Sequence, residues 1–196
     1  MVAANPMKIP GAWGQGYVLD YHTLSSVFLG YDEFGNPMFD TKRTEMGELL
    51  YQLKYKRNLV ALDTLVKAAT KFLKGWRPNV DVIVPVPATR ARPYQPVLEI
   101  ACALGQNLGL PVLGDLIRRR KSTKELKNVF DYHERIKLLE NAYNVRDQSV
   151  RGKAVLLFDD LYRSGATLNA VTRLLYEQGQ CSHVCALALT RTRTAS

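Results

Sequence analysis

Cysteine is scarce in this 196-residue chain: Cys102, Cys181 and Cys185 are the only three, and none precedes residue 102. Three thiols make no disulfide framework, which excludes a stapled secreted scaffold and leaves a cytoplasmic, reduced location as the expectation. No apolar run approaches the ~20 residues needed to cross a bilayer, and the opening Met1-Val2-Ala3-Ala4-Asn5-Pro6 lacks a signal-peptide pattern. No membrane partner is expected. No Ser-His-Asp spacing announces a hydrolase, and no Walker-type loop announces a nucleoside triphosphatase. Cys181, His183 and Cys185 alternate, but three soft ligands on one strand cannot close a tetrahedral shell and no fourth stands nearby. A core face with a satisfied histidine is the expectation there; His22 and His133 have no recognisable partners either.

Acidic residues are also in short supply, 18 against 27 Lys and Arg, for a formal charge of +9. Such an excess suits a polyanionic small molecule or a nucleic acid. Its densest cluster, Arg118-Arg119-Arg120-Lys121 with Lys124 and Lys127, has no interleaved aromatics of the kind that stack on bases. A phosphate-rich small molecule is therefore favoured. With 46% hydrophobic and 23% charged residues the composition is that of a soluble globule, long enough for one α/β domain and an appendage.

The richest stretch is Asp159-Asp160-Leu161-Tyr162-Arg163-Ser164-Gly165-Ala166-Thr167. It follows the apolar run Ala154-Val155-Leu156-Leu157-Phe158, which reads as a buried parallel strand. From Thr167 onward, Leu168, Val171, Leu174 and Leu175 recur at helical spacing. A small-residue loop at a helix N-terminus leaves backbone N–H groups free for an anion, and Gly165 and Ala166 let a phosphate approach the main chain. Arg163 adds charge, while Ser164 and Thr167 add hydroxyl donors. Asp159 and Asp160 suit two sugar hydroxyls, directly or through a hydrated divalent cation. Cradle plus acceptors describes a ribose 5-phosphate site; the bland alternative is an ordinary βα turn with a capping aspartate.

This stretch resembles the phosphoribosyl-pyrophosphate (PRPP) motif of type I phosphoribosyltransferases. Val82-Ile83-Val84-Pro85-Val86-Pro87, followed by Arg90, Arg92 and Gln95, resembles the competence-protein ComF branch, as does Glu134-Arg135 to Asn144-Val145. The likeness covers roughly residues 45 to 190. It implies a Rossmann-like, mostly parallel sheet flanked by helices, and an enzyme that transfers phosphoribosyl from PRPP, with Mg²⁺, to a base-like acceptor as pyrophosphate leaves. By resemblance, residues 163–167 bind the 5-phosphate, Asp159 and Asp160 the ribose hydroxyls or Mg²⁺, and Thr89, Arg90 and Arg92 the pyrophosphate. Arg90 and Lys121 are then catalytic candidates beside the two aspartates, Lys121 from a flexible loop. The resemblance implies equally a role in DNA uptake with single-stranded DNA as partner; a PRPP-sensing regulator without turnover and a homodimer are further expectations. The chain departs from the family in lacking the N-terminal four-cysteine zinc module, in Arg163-Ser164-Gly165 for Thr-Thr-Gly, and in Arg92-Pro93-Tyr94-Gln95, which lacks the usual glycine.

Along the chain, residues 1–43 read as a hairpin appendage, with Gly11, Gly14 and Gly16 around Trp13, and 44–196 as the phosphoribosyltransferase-like domain. Thr44 caps a first helix bearing Leu49, Leu50 and Leu53, and Gly75 stops a second. Lys54, Lys56 and Arg57 read as a solvated helix end, with a cationic contribution to the site as the alternative. Pro96 opens a third helix that Gly109 ends. Leu113 to Ile117 is a further candidate strand and residues 118 to 130 a mobile loop. Asp131 and Glu134 have capping-box spacing, Val184 to Leu189 reads as a strand, and Arg191-Thr192-Arg193 reads as a frayed tail.

Overall fold

The computed structural model describes residues 2–88, 94–120 and 142–193. The central sheet follows from the apolar runs. Strands β1 (Met7–Lys8), β2 (Gln15–Tyr21), β5 (Val82–Pro85), β8 (Ala154–Tyr162) and β9 (His183–Arg191) join in the order β1-β2-β9-β8-β5. All neighbouring pairs are parallel except β1 with β2. Val112 extends the far edge by one parallel bridge to Ile83. The mostly parallel α/β architecture expected from the sequence is the one found.

Alternation along the strands divides the core into two layers. Val155, Leu157, Val184, Ala186 and Ala188 face one side, where α4 (Ala166–Glu177) lays down Leu168, Val171, Leu174 and Leu175. Leu156, Phe158, Cys185, Leu187 and Leu189 face the other side, covered by α1 (Glu45–Lys56), α2 (Leu59–Trp76) and α3 (Pro96–Leu108). A strand that reads as one apolar run is thus dressed on both faces. Cys181 and Cys185 belong to opposite layers, and His183 between them is exposed, so the expected satisfied histidine on a shared core face is not found.

Thr44 accepts a hydrogen bond from the Gly47 N–H and caps α1 as its residue type predicts. Gly109, at φ 68°, closes α3. Helix α2 passes Gly75 and ends at Trp76, with Arg77 taking the left-handed conformation instead. The stretch 113–117 yields only the start of β6 (Ile117–Arg119), which pairs antiparallel with β7 (Tyr143–Val145). Residues 118 and 119 are thus strand rather than loop; residues 121–141, with the expected capping box and Lys121, Lys124 and Lys127, lie outside the described residues. Arg191 is in β9, and Arg193 stacks on Tyr21 at 4.4 Å and donates to the Thr23 carbonyl at 3.1 Å, so the end expected to fray is held.

Residues 7–21 pair into the main sheet, so what stands apart is narrower than residues 1–43. It is the hairpin of β3 (Thr23–Tyr31) and β4 (Pro37–Arg43), a separate two-stranded sheet. Trp13 explains two of the glycines on either side of it: its ring lies where the Cβ atoms of any side chains at Gly11 and Gly16 would be, and its indole donates to the Ile9 carbonyl at 3.0 Å. Only glycine lets the main chain wrap a buried tryptophan this closely.

Candidate functional site

Because β2, β9, β8 and β5 run parallel, their carboxyl ends share one edge, where ligands bind in open α/β sheets. Asp159 and Asp160 sit at the end of β8, residues 163–165 form the loop to α4, and β5 exits beside them through Val86, whose N–H donates to the Phe158 carbonyl at 2.8 Å. Thr89, Arg90 and Arg92 follow on that exit but lie outside the described residues.

The loop is shaped for an anion. Gly165 adopts φ 75°, which disfavours any residue with a Cβ, and an added Cβ would lie 2.8 Å from the Tyr162 ring. Helix α4 begins at Ala166 with no capping side-chain bond from Gly165, so its first N–H groups face outward. The Ser164 hydroxyl lies 3.5 Å from the Ala166 N–H, at the limit of contact. A cavity of about 80 Å³ is lined by Asp159, Leu161, Tyr162, residues 163–167 and Leu168. Asn169 fixes the loop from beneath: its backbone and side-chain N–H groups both donate to the Gly165 carbonyl, at 2.8 and 3.0 Å, while its Oδ1 accepts from the Ala12 N–H at 2.7 Å.

The two carboxylates part company. Successive strand residues point to opposite faces, and only Asp159 lines the loop cavity. Asp160, 8% exposed, is turned toward α1, where its Oδ2 lies 2.8 Å from Lys54 Nζ. The sequence reading set both side by side as equal acceptors; the structure gives one to the cavity and one to a lysine. Burial and then the charge of Asp160 push the Asp159 carboxyl up to about 8. Tyr143, enclosed by the fold, also titrates above its ordinary value, first through burial, with the Asp159 charge adding to the rise.

For Lys54 the structure favours the cationic contribution to the site over the solvated helix end, since its Nζ lies 2.8 Å from Asp160 Oδ2. The signal was present: Met46, Leu50 and Lys54 recur every four residues, so the lysine continues the buried stripe of α1. His22 and Thr190 were missed, since only the sheet brings them together. Thr190 donates to the Asp160 carbonyl at 3.2 Å and lies 3.1 Å from His22 Nδ1. Burial, then the charges of Lys54 and Arg43, hold the His22 imidazole below its usual pKa. Arg191, between the Tyr21 and Tyr162 rings at 5.9 and 5.8 Å, keeps a buried Nε without a hydrogen-bond partner among the described residues.

A second, larger cavity of about 530 Å³ adjoins the exit of β5, lined by Pro85, Val86, Pro87 and Ala88 and by Arg118 and Arg119 across from them. Arg118 and Arg146 both pair with Asp115, at 2.8 and 2.6 Å, so part of the basic cluster is engaged within the chain.

No protein-family model matches the chain. Among curated proteins it is similar to the competence protein ComFC of Bacillus subtilis (strain 168), at 29% identity over 149 residues. The similarity takes in 74% of this chain and 60% of that relative's length. Solved structures of similar fold include an adenine phosphoribosyltransferase (TM-score 0.49, 14% identity, 85% of this chain and 86% of that one). Adenine phosphoribosyltransferase from Saccharomyces cerevisiae, complexed with an imino-altritol bisphosphate and adenine, gives a TM-score of 0.47 at 16% identity, covering 85% of each chain. A protein from Neisseria gonorrhoeae with bound ppGpp gives 0.45 at 15% identity, covering 69% of this chain and 70% of that one. These are distant likenesses.

Proposed function

We propose that the carboxyl edge of the sheet binds a 5-phosphorylated ribose such as PRPP, and that the chain transfers its phosphoribosyl group to a base-like acceptor as pyrophosphate leaves. The observation that supports this most is a single cavity lined by a strand-end carboxylate and by a glycine loop opening a helix. Residues 163–167 receive the 5-phosphate on outward N–H groups and the Ser164 and Thr167 hydroxyls, with Arg163 supplying charge. Asp159 accepts from a ribose hydroxyl, and Asp160, fixed by Lys54, holds the backbone beneath it. Thr89, Arg90, Arg92 and Lys121, which lie outside the described residues, are assigned in this reading to neutralising the pyrophosphate. Such a site acts by positioning the partners and stabilising departing negative charge.

Mg²⁺ is tested by the donors at hand. Among the described residues no group of three His, Cys, Asp or Glu gathers to hold a metal, and one of the two carboxylates is already met by a lysine. That set does not suit a resident ion, but one or two carboxylates with substrate phosphates are an ordinary Mg²⁺ environment. Asp159 would then hold an ion that arrives with the pyrophosphate, whose charge it would offset.

The test is a thermal shift and calorimetric titration with PRPP, with and without Mg²⁺, on wild type and on Asp159→Asn/Asp160→Asn. Stabilisation that requires the aspartates supports the site, because a ligand that binds only the folded state raises its stability; indistinguishable proteins would sink it. Pyrophosphate release with and without candidate bases then separates a transferase from a PRPP-sensing regulator.

A second reading, single-stranded DNA as partner in a competence role, draws on basic side chains set over aromatic rings near the same edge: Arg43 and Lys56 over Tyr51, and Arg57 over Tyr94. It calls for affinity that falls steeply with salt.

A further inference from the structure

Strand β3, Thr-Leu-Ser-Ser-Val-Phe-Leu-Gly-Tyr, contains no charged residue and no proline over nine positions. Among the described residues it pairs on one side only, with β4, and its other edge carries no strand. Register irregularities fall between Thr23 and Ser25 and between Phe28 and Gly30, leaving a regular stretch over 25–28. A two-stranded ribbon alone in water is marginal, and edge strands that stay single are normally blunted with charge or proline. This one is not.

The ribbon is also apolar beyond its edge. Phe28 meets Tyr31 at 5.3 Å and Phe39 at 5.5 Å, a ring cluster open to solvent. Phe28, Tyr31, Phe34 and Phe39 are 50 to 80% exposed, which leaves on the order of 500 Å² of aromatic surface uncovered at about 150–250 Å² per ring residue. Leu24, Val27, Leu29 and Met38, from 43 to 61% exposed, extend this apolar surface along the ribbon up to the open edge of β3.

We infer that β3 is the seat of a second copy of this chain, joined edge to edge about a two-fold axis into a four-stranded antiparallel sheet. Charge selects this occupant. The chain carries +9, so two copies repel over most of their surfaces. The segment 23–43 has Asp32, Glu33 and Asp40 against Lys42 and Arg43, a net −1, and so offers a place where two copies meet without stacking like charge. The rings offer stacking to bases, but a segment of net −1 offers a phosphate backbone no attraction. An uncharged antiparallel strand is its own complement, as an isologous contact requires.

Sedimentation velocity on the full chain, over a range of concentration and salt, tests this. The expected result is a reversible dimer that tightens as salt rises and screens the repulsion. Val27→Lys/Leu29→Lys, which puts four charges at the seam, should weaken it at least about 100-fold, with circular dichroism and melting of the rest of the fold unchanged. Should that variant fail to fold, hydrogen exchange on wild type replaces it: β3 amides gain protection as concentration rises. A wild type that stays monomeric to about 100 μM, a lysine variant that dimerises like wild type, association that weakens with salt, or β3 amides whose exchange ignores concentration each overturns the inference.

Discussion

Strands β3 and β8 are both nine residues long and both bounded by turns, yet β8 is enclosed on two faces while nearly all of β3 faces water. The difference lies in their neighbours rather than in their own content. Strand β8 lies between β5 and β9 with helices above and below, so its side chains are worth their full transfer free energy. Among the described residues strand β3 has one partner. A strand's length and apolar content therefore say little about what it contributes until the topology is known.

The widest gap should appear on truncation. Phe158→Ala in β8 should cost about 3–5 kcal/mol, whereas Phe28→Ala in β3 should cost the monomer under about 0.5 kcal/mol; urea denaturation at concentrations below any association measures both. Asp160→Asn comes next. It strands Lys54 in a mostly buried setting and should cost about 2–3 kcal/mol, a loss that Lys54→Met in the same background should partly restore. Gly165→Ala forces a left-handed backbone and crowds Tyr162, for about 1–2 kcal/mol, and should abolish any PRPP-dependent rise in Tm.

The smallest effect has the opposite sign. Asp159 is an acid whose folded-state pKa stands above its unfolded value near 3.9. It therefore costs the fold nothing below about pH 4, costs progressively more as pH rises, and levels off near pH 8. Asp159→Asn should raise stability at pH 7 by about 1 kcal/mol, well short of the full shift because the side facing the cavity is solvated, and by nothing at pH 3. Thermal melts at the two pH values check this, and a loss of stability at pH 7 would show that the carboxylate is held ionised.

Much of this was legible beforehand, for identifiable reasons. Val155 to Phe158 and the run from Leu168 announce a strand and a helix by apolar content and spacing, so the loop between them is legible in the sequence. Thr44, Pro96 and Gly109 announce helix ends through local chemistry. What failed to show was long-range. Residues 15–21 look like part of a hairpin, and only pairing with β9 carries them into the sheet. Asp159 and Asp160 look like twins, and only the pleat with α1 behind it separates them. Trp76 outruns Gly75 because a helix-stopping glycine is a local preference that packing of Phe72 and Trp76 against Tyr17 overrides.

Asn169 joins two parts of the chain lying 157 residues apart. One amide group grips the carbonyl that begins α4 and, with its oxygen, the amide of Ala12, so the floor of the loop and the approach to β2 share a single rivet. Replacing it with leucine, similar in size and mute in hydrogen bonding, would release both at once. The segment around Trp13, whose neighbour Pro10 also accepts from the Tyr162 hydroxyl at 3.5 Å, thus becomes part of what keeps the glycine turn still, and on the proposed reading damage there should be felt as a blurred grip on the ligand before it is felt as unfolding.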